Sequence, residues 1–455
     1  MSTARLSALD ASFLEVESPT AHMHVGWVAT FAPPAGRAAP GFEQLRTHLE
    51  GRLCRAPRYR QRLAPVPLGV HEPLWVDDED FDCSRHVRHA RTTNLTDLAD
   101  SVMSVPLARD RPLWEMWIAT GLPDDRIGLV GKAHHCLVDG LAAVELASLV
   151  LDPTPDPLPG EPESWRPRPA PGVVERLAVG VRDRIASQLA LLAAPAQMAR
   201  SPRRLLCAAG EARRAGAALA ASVRPATPVG PLNQPTSPLR HLALLDRPLD
   251  DLRRVKSHFQ TTVNDVVLAV CAGGIRRFME RRGQPTVPLK TMVPVSVRPD
   301  GSDGELGNQI SFIFVDLPCQ EPDPVMRLYD VHRATSDRKR AGEPQGADRV
   351  LKALSYAPGP VQRLASRMVA SDRAFNLTIS NIPGPAQPLY MLGCRLESAY
   401  PVVPLVDRHA LSIGMHTSGG GAFFGLYADR KALPDSDRLA RDIEESIDEL
   451  VALAA

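Results

Sequence analysis

Ile127-Gly128-Leu129-Val130-Gly131-Lys132-Ala133-His134-His135-Cys136-Leu137-Val138-Asp139-Gly140 is the stretch on which the reading of this chain turns. Its first seven residues are an apolar run with strand character. Upstream, Leu122-Pro123-Asp124-Asp125 is a turn signal. Before that turn, Leu113-Trp114-Glu115-Met116-Trp117-Ile118-Ala119-Thr120 is a second strand, so the two runs form a hairpin. After the histidines, Leu141, Val144, Glu145, Leu146, Leu149 and Val150 recur at helical spacing. His134 and His135 therefore sit at a strand end, and Asp139-Gly140 sits where a helix begins. Side chains on such connections are held by a rigid scaffold while the backbone is free of regular geometry.

Each residue of the HHxxxDG pattern carries two readings. Neighbouring strand residues point to opposite faces, so at most one histidine faces a given substrate. The other packs or is hydrogen-bonded. Asp139 either shapes the loop or caps the helix, a role worth about 1 kcal/mol. Gly140 either serves the site or only turns the chain. A metal site is disfavoured, because HHxxxD is not HExxH and no Cys/His cluster of zinc spacing appears.

HHxxxDG resembles the signature of acyltransferases related to chloramphenicol acetyltransferase and to peptide-synthetase condensation domains. Further blocks narrow the likeness. Leu6-Ser7-Ala8-Leu9-Asp10-Ala11-Ser12-Phe13-Leu14, followed by Met23-His24-Val25-Gly26, is similar to the start of bacterial wax ester synthase/diacylglycerol acyltransferases. Pro112-Leu113-Trp114 matches that family's PLW motif, and Thr262-Val263-Asn264-Asp265-Val266-Val267-Leu268-Ala269 its Asn-Asp helix motif. Pro294-Val295-Ser296-Val297-Arg298 with Gly307-Asn308, then Ser380-Asn381-Ile382-Pro383-Gly384-Pro385, then Gly425-Leu426-Tyr427-Ala428-Asp429 follow in order. One stretch departs from the pattern: Ser418-Gly419-Gly420-Gly421-Ala422-Phe423-Phe424 stands where the family has a polar turn and Asp-Phe.

The resemblance implies an α/β fold of two chloramphenicol-acetyltransferase-like lobes, mixed sheets with flanking helices, joined by a helical, Pro-flanked connector. Composition agrees. At 455 residues the chain exceeds one average core. Pro153 to Pro171 is rich in Pro and acidic residues, and Pro225 to Pro238 is again Pro-rich. Between them Val173 to Val223 reads as helical, interrupted at Pro195 and Pro202. A second α/β segment begins at His241-Leu242-Ala243-Leu244-Leu245. The expected division is an N-terminal lobe at 1–152, a connector at 153–238 and a C-terminal lobe at 239–455.

Net charge is +1, so there is no nucleic-acid or membrane electrostatic footprint. Of 53 basic residues only six are Lys, a bias that reads as genome composition rather than function, although an Arg-rich surface also suits CoA phosphates. The seven cysteines are scattered without a CxxC, which favours a reducing cytosol over a disulfide framework. Cys136, inside the motif, occupies a spacer position in the family and reads as a small core residue. No signal peptide and no spanning segment is read, so the expected location is cytoplasmic, or peripheral to the inner face of the plasma membrane or to lipid droplets. Ile185 to Ala199 is uncharged and Ala/Leu-rich between Arg184 and Arg200. It reads either as a helix covering the cores or as one lying on a lipid surface.

By resemblance, His135 is the general base, His134 supports it, and Asp139 braces the loop with Arg298 as candidate partner and Gly140 at the turn. Asn264, Asp265, Ser296, Asn308 and Asn381 are candidate substrate contacts, with plain N-capping as the other reading of Asn264-Asp265. The implied reaction is acyl transfer from long-chain acyl-CoA to diacylglycerol or a fatty alcohol. No cofactor is expected, since acyl-CoA is a substrate. A same-fold enzyme acting on a polyketide or glycolipid hydroxyl, or using a carrier-protein donor, is the alternative. A pair of lobes kept only for binding is a third reading, which the complete HHxxxDG argues against.

Overall fold

A computed structural model describes residues 5–34, 36, 38–52, 56–137, 150–156, 165–199, 225–296, 310–340 and 359–454. Asp139, Gly140, Arg298, Asn308 and the helix expected after the histidines lie outside the described residues.

Two six-stranded mixed sheets form the two lobes. The first runs in the order β11-β12-β1-β6-β5-β4. Its strands are β1 (His24–Ala32), β4 (Val87–Arg91), β5 (Trp114–Thr120), β6 (Ile127–His134), β11 (Tyr390–Met391) and β12 (Cys394–Val402). The second runs β7-β14-β13-β10-β8-β9. It comprises β7 (Arg240–Pro248), β8 (Leu289–Ser296), β9 (Ile310–Leu317), β10 (Leu377–Ile382), β13 (Leu411–Ser418) and β14 (Gly421–Asp429). A small ribbon pairs β2 (Gln61–Ala64) with β3 (Leu74–Asp77).

Helices α1 (Ala8–Val16), α2 (Phe42–Arg52) and α3 (Leu95–Met103) belong to the first half. The second half carries α5 (Leu249–His258), α6 (Val263–Arg281), α7 (Pro324–Arg340), α8 (Gly359–Val369) and α9 (Ser436–Leu453). Between the halves runs α4 (Val173–Ala199). Pro195, read as an interruption, lies inside this helix. It falls close to the C-terminal end, where one lost i−4 hydrogen bond leaves the preceding turns intact.

The hairpin read from sequence is present: β5 and β6 pair antiparallel from Trp114–Ala133 to Ala119–Gly128, joined by a turn with Asp124 and Asp125 at positive φ. Every residue of β6 is buried, because both faces of its sheet are covered. Ile127, Leu129 and Ala133 face one core, with Phe31 and Trp114. Val130 faces another, where Val28 and the α3 residues Ala99, Val102 and Met103 meet Leu242 and Tyr427 of the second lobe. That second face is the seam between lobes.

The lobes do not follow the chain in simple succession. β12, from the C-terminal half, pairs with β1 from Gly26–Val402 to Ala32–Arg395 and so completes the N-terminal sheet. β14 packs close beneath it: a Cβ on Gly425 would lie 2.1 Å from the Pro401 carbonyl oxygen. The stretch that departs from the family pattern forms the β13–β14 hairpin. Gly419 (φ +55°) and Gly420 (φ +88°) supply the two positive-φ positions that such a tight turn requires, with Ser418 paired to Gly421.

Candidate active site

The site is assembled at the end of β6. The His134 amide donates to the Leu113 carbonyl (2.9 Å), so the PLW segment holds the strand end in place. Leu113 also shares an apolar cluster with Cys136, Leu6, Trp75 and Leu107. Trp114 is buried and donates through Nε1 to the Tyr59 carbonyl (2.7 Å). On the other side, the His135 amide donates to the Met23 carbonyl (2.9 Å). The segment Met23-His24-Val25-Gly26 is thus the partner of the histidine motif. Gly26 is required by this pairing, since a Cβ there would stand 2.3 Å from the Gly131 carbonyl oxygen.

The two histidines are unequal. His134 is 1% exposed, and its Nδ1 accepts the Cys136 amide (3.1 Å). The ring proton of the neutral imidazole therefore sits on Nε2. Nε2 faces Glu17, whose Oε1 is 3.8 Å away and whose carboxylate also pairs with Arg109. Burial, then the positive charge of Arg109 and the neighbouring His135, holds the His134 pKa well below that of free histidine. His135 is half-buried, one residue past the strand, and stacks on Phe13 of α1 at 3.8 Å with the rings 10° apart. Ser7 caps α1 by accepting the Asp10 amide (3.0 Å), which fixes the helix that carries Phe13.

Cys136 is 3% exposed, and burial pushes its thiol up to about 12. A thiol held protonated is not a nucleophile. The described residues contain no group of three or more His, Cys, Asp or Glu side chains able to hold a metal ion.

The remaining candidates lie in the second lobe. Asn264 is the second residue of α6 and is half-buried. Asp265 is 1% exposed and closes a capping box with Thr262. Its Oδ2 accepts the Thr262 amide (3.0 Å) and His332 Nδ1 (2.8 Å), and its Oδ1 accepts the Thr335 hydroxyl (2.6 Å). Burial alone would raise this carboxyl, but the bonds from His332, Thr335 and Thr262 outweigh it and hold the pKa below the ordinary value. Both oxygens are thus engaged inside the lobe. Ser296 ends β8, and Asn381 lies near the end of β10. These strands are parallel neighbours in register Leu377–Thr291 and Thr378–Met292, so both residues stand at the carboxyl end of the pair. The following Pro383-Gly384-Pro385 turn is fastened to β13 by the Gly384 amide donating to Thr417 Oγ1 (3.1 Å).

Three residues near the motif did not come from reading it as a motif: Phe13, Glu17 and His24. Phe13 and His24 stand inside the blocks that carried the family likeness. Glu17 carried no sequence signal, because its approach to His134 depends on the chain reversal between α1 and β1.

A two-lobed molecule with paired histidines at the end of a central strand defines the class: a chloramphenicol-acetyltransferase/condensation-domain-like acyltransferase. The chain matches the wax ester synthase/diacylglycerol acyltransferase catalytic domain over residues 6–267 and the WS/DGAT C-terminal domain over residues 306–451. It is 32% identical over 467 residues to the "Probable diacyglycerol O-acyltransferase tgs1" of Mycobacterium tuberculosis (strain ATCC 25618 / H37Rv), covering 99% of this chain and 96% of that protein. It superimposes on the wax ester synthase/diacylglycerol acyltransferase from Marinobacter aquaeolei VT8 with a TM-score of 0.70 at 26% identity, covering 99% of each chain. The first condensation domain of the CDA synthetase shares the fold at a TM-score of 0.62 and 15% identity, over 100% of this chain and 97% of that one. The chain belongs to the wax ester synthase/diacylglycerol acyltransferase family and is an acyltransferase.

Proposed function

We propose that this acyltransferase moves a long-chain acyl group from acyl-CoA to the hydroxyl of diacylglycerol or of a fatty alcohol, with His135 as general base. The observation that carries the base assignment is the inequality of the two histidines. His134 is buried, neutral, and has its Nδ1 occupied by the Cys136 amide. His135 is half-buried, beyond the strand end, and oriented by the Phe13 ring.

The chemistry needs little more. A thioester is already activated, and the alcohol is a poor nucleophile until its proton is removed. A neutral imidazole takes that proton as the alcohol oxygen attacks the thioester carbonyl. The carbon–sulfur bond then breaks, and the CoA thiolate takes the proton back from the imidazolium. No net proton is gained or lost. Asp139 and Arg298 are proposed to brace the loop and Gly140 to turn it. Asn264, Ser296, Asn308 and Asn381 are proposed to contact substrate, while Asp265 is given the start of α6.

The acyl-CoA donor and the lipid acceptor rest on the family and on the relatives' names. The deciding experiment is thiol release from long-chain acyl-CoA with diacylglycerol or hexadecanol as paired acceptors. His135→Ala is expected to lower the rate by about 10²-fold or more. Retention of more than about a tenth of the rate contradicts the base assignment. Transfer to neither acceptor contradicts the acceptor class.

A further inference from the structure

The two histidines share a neighbour outside their own motif, the segment 17–23 that joins α1 to β1. Its first residue, Glu17, faces His134 Nε2, and its last, Met23, accepts the His135 amide. Met23 does so at φ +50°, a left-handed conformation that a methionine keeps only where its surroundings impose it. Between these ends the chain closes on itself. Ser18 and Ala21 exchange amide–carbonyl bonds (3.0 and 3.1 Å), and His22 Nε2 donates to the Pro19 carbonyl (3.0 Å).

A buried cation ties this turn to the second lobe. Arg240 opens β7 and is 2% exposed. Its Nη2 donates to the Thr20 carbonyl, inside the turn. Its Nη1 donates to the Ser237 and Leu239 carbonyls and stands 3.6 Å from Asp429 Oδ2. Asp429 lies opposite Arg240 on β14, fully buried, and is fixed by the Lys431 and Ala432 amides (2.9 Å each). A guanidinium suits this place, because its donors leave one rigid plane in several directions at once. Thr236 does not duplicate the tie. Its hydroxyl is 3.4 Å from that of Thr20, too long for a firm bond between hydroxyls, and donates instead to Asp407 (2.9 Å).

We infer that Arg240 is a positioning residue for the histidine pair. Anchored in the second lobe, it fixes the Thr20 carbonyl. Through the turn it sets Glu17 against His134 and the Met23 carbonyl against His135. A staple serving stability alone has no need to grip this segment, whose two ends are the contacts of the two histidines. The kinetic consequence rests on the proposed role of His135 as general base. The tie between lobe and turn does not.

The test is steady-state thiol release by the full chain from long-chain acyl-CoA, with the alcohol that the wild type accepts. Arg240→Lys and Arg240→Met are compared alone and in the His135→Ala background, at a temperature where thermal melts show each variant folded. Arg240→Lys keeps a charge beside Asp429 but puts one ammonium where the fork reached two sides. It is expected to lower kcat about tenfold, with KM for both substrates within about twofold, since a displacement of about 1 Å near a reacting group can cost about 10²-fold. Arg240→Met is expected to lower kcat further. In the His135→Ala background, Arg240→Lys is expected to add less than about a twofold loss, because the two changes act on one group. An unchanged kcat in Arg240→Lys overturns the proposal, and so does a loss confined to KM. A lowered Tm with kcat intact makes Arg240 a staple only and also overturns it. Where His135→Ala itself costs about tenfold or more, a loss from Arg240→Lys that multiplies with it overturns the proposal as well. Should Arg240→Met fail to fold, Arg240→Lys decides alone. If His135→Ala keeps more than about a tenth of the rate while Arg240→Lys loses kcat, the base assignment falls and the positioning of the pair through the turn stands.

Discussion

His24 stands directly across from His134 on the β1–β6 pair, and both imidazoles are buried, 2% and 1% exposed. The neighbouring Met23–His135 pair carries the ladder hydrogen bond, so His24 and His134 form a non-hydrogen-bonded pair, in which side chains approach closely. The Met103 backbone is the polar group nearest the His24 ring, and it favours the charged form less than burial disfavours it. The His24 pKa, like that of His134, lies well below the ordinary value, through burial first and then through Lys132, His22 and His134. Two neutral, buried histidines therefore back the face of the sheet behind the motif.

This pair gives the molecule an acid limit. A histidine whose pKa is lowered by folding binds its proton mainly in the unfolded chain. Its contribution is complete above about pH 6.5, the unfolded value, and is lost as the pH falls below it. Urea unfolding between pH 7.5 and 5 is expected to show a fall in stability that is shallower in His24→Leu. At pH 7.5 the same variant is expected to change stability by no more than about 2 kcal/mol, because a buried ring with little hydrogen bonding leaves the interior. A large loss of stability would show instead that His24 is satisfied by ordered water.

The seam between lobes has the opposite pH dependence. His241 of β7 bonds Asp100 of α3 through Nδ1 (2.6 Å) and Asp437 of α9 through Nε2 (3.1 Å). The bond to Asp100 leads in raising its pKa to about 9. This contribution is complete below about pH 6.5 and is lost as the pH rises through about 9. His241→Asn is expected to cost on the order of 1–2 kcal/mol at pH 6, discounted because Asp437 is largely exposed, and almost nothing at pH 10. Thermal melts at the two pH values check this; an equal loss at both would exclude the charged bridge.

Asp265 separates support from substrate contact. With Thr262, His332 and Thr335 all bonded to its carboxylate, Asp265→Asn is expected to lower stability by about 2–3 kcal/mol. KM for both substrates should change little at a temperature where the variant is folded. A rise in KM without a loss of stability would return Asp265 to the substrate.

Gly131→Ala tests the closeness of β1 and β6. The new Cβ would stand 2.2 Å from the Trp27 ring. A cost of about 1–3 kcal/mol is expected, read as a lowered urea midpoint, because the Trp27 ring lies over Gly131 and must shift to admit a methyl group. Unchanged stability would mean that Trp27 has room to turn.

Local pattern was enough for much of this molecule. The apolar run, the Pro-Asp-Asp turn and the preceding strand are contiguous, so the β5–β6 hairpin was legible from Leu113 to Ala133. The N-capping alternative for Asn264-Asp265 was local too, and the structure makes Thr262 the cap with Asp265 closing the box. The ordered motif blocks determined the family. Tertiary structure alone decided what depends on register and on distant chain segments. The expected lobes at 1–152 and 239–455 gave no sign that β12 would complete the first sheet, because strand partners are chosen by long-range pairing rather than by local propensity. Face alternation said that His134 and His135 differ, but not how. That came from Met23 bonding His135, Cys136 turning its amide onto His134, and Phe13 arriving from α1 to cover the other ring. A side chain's face is local geometry. What lies opposite it is set only when the whole chain has closed around it.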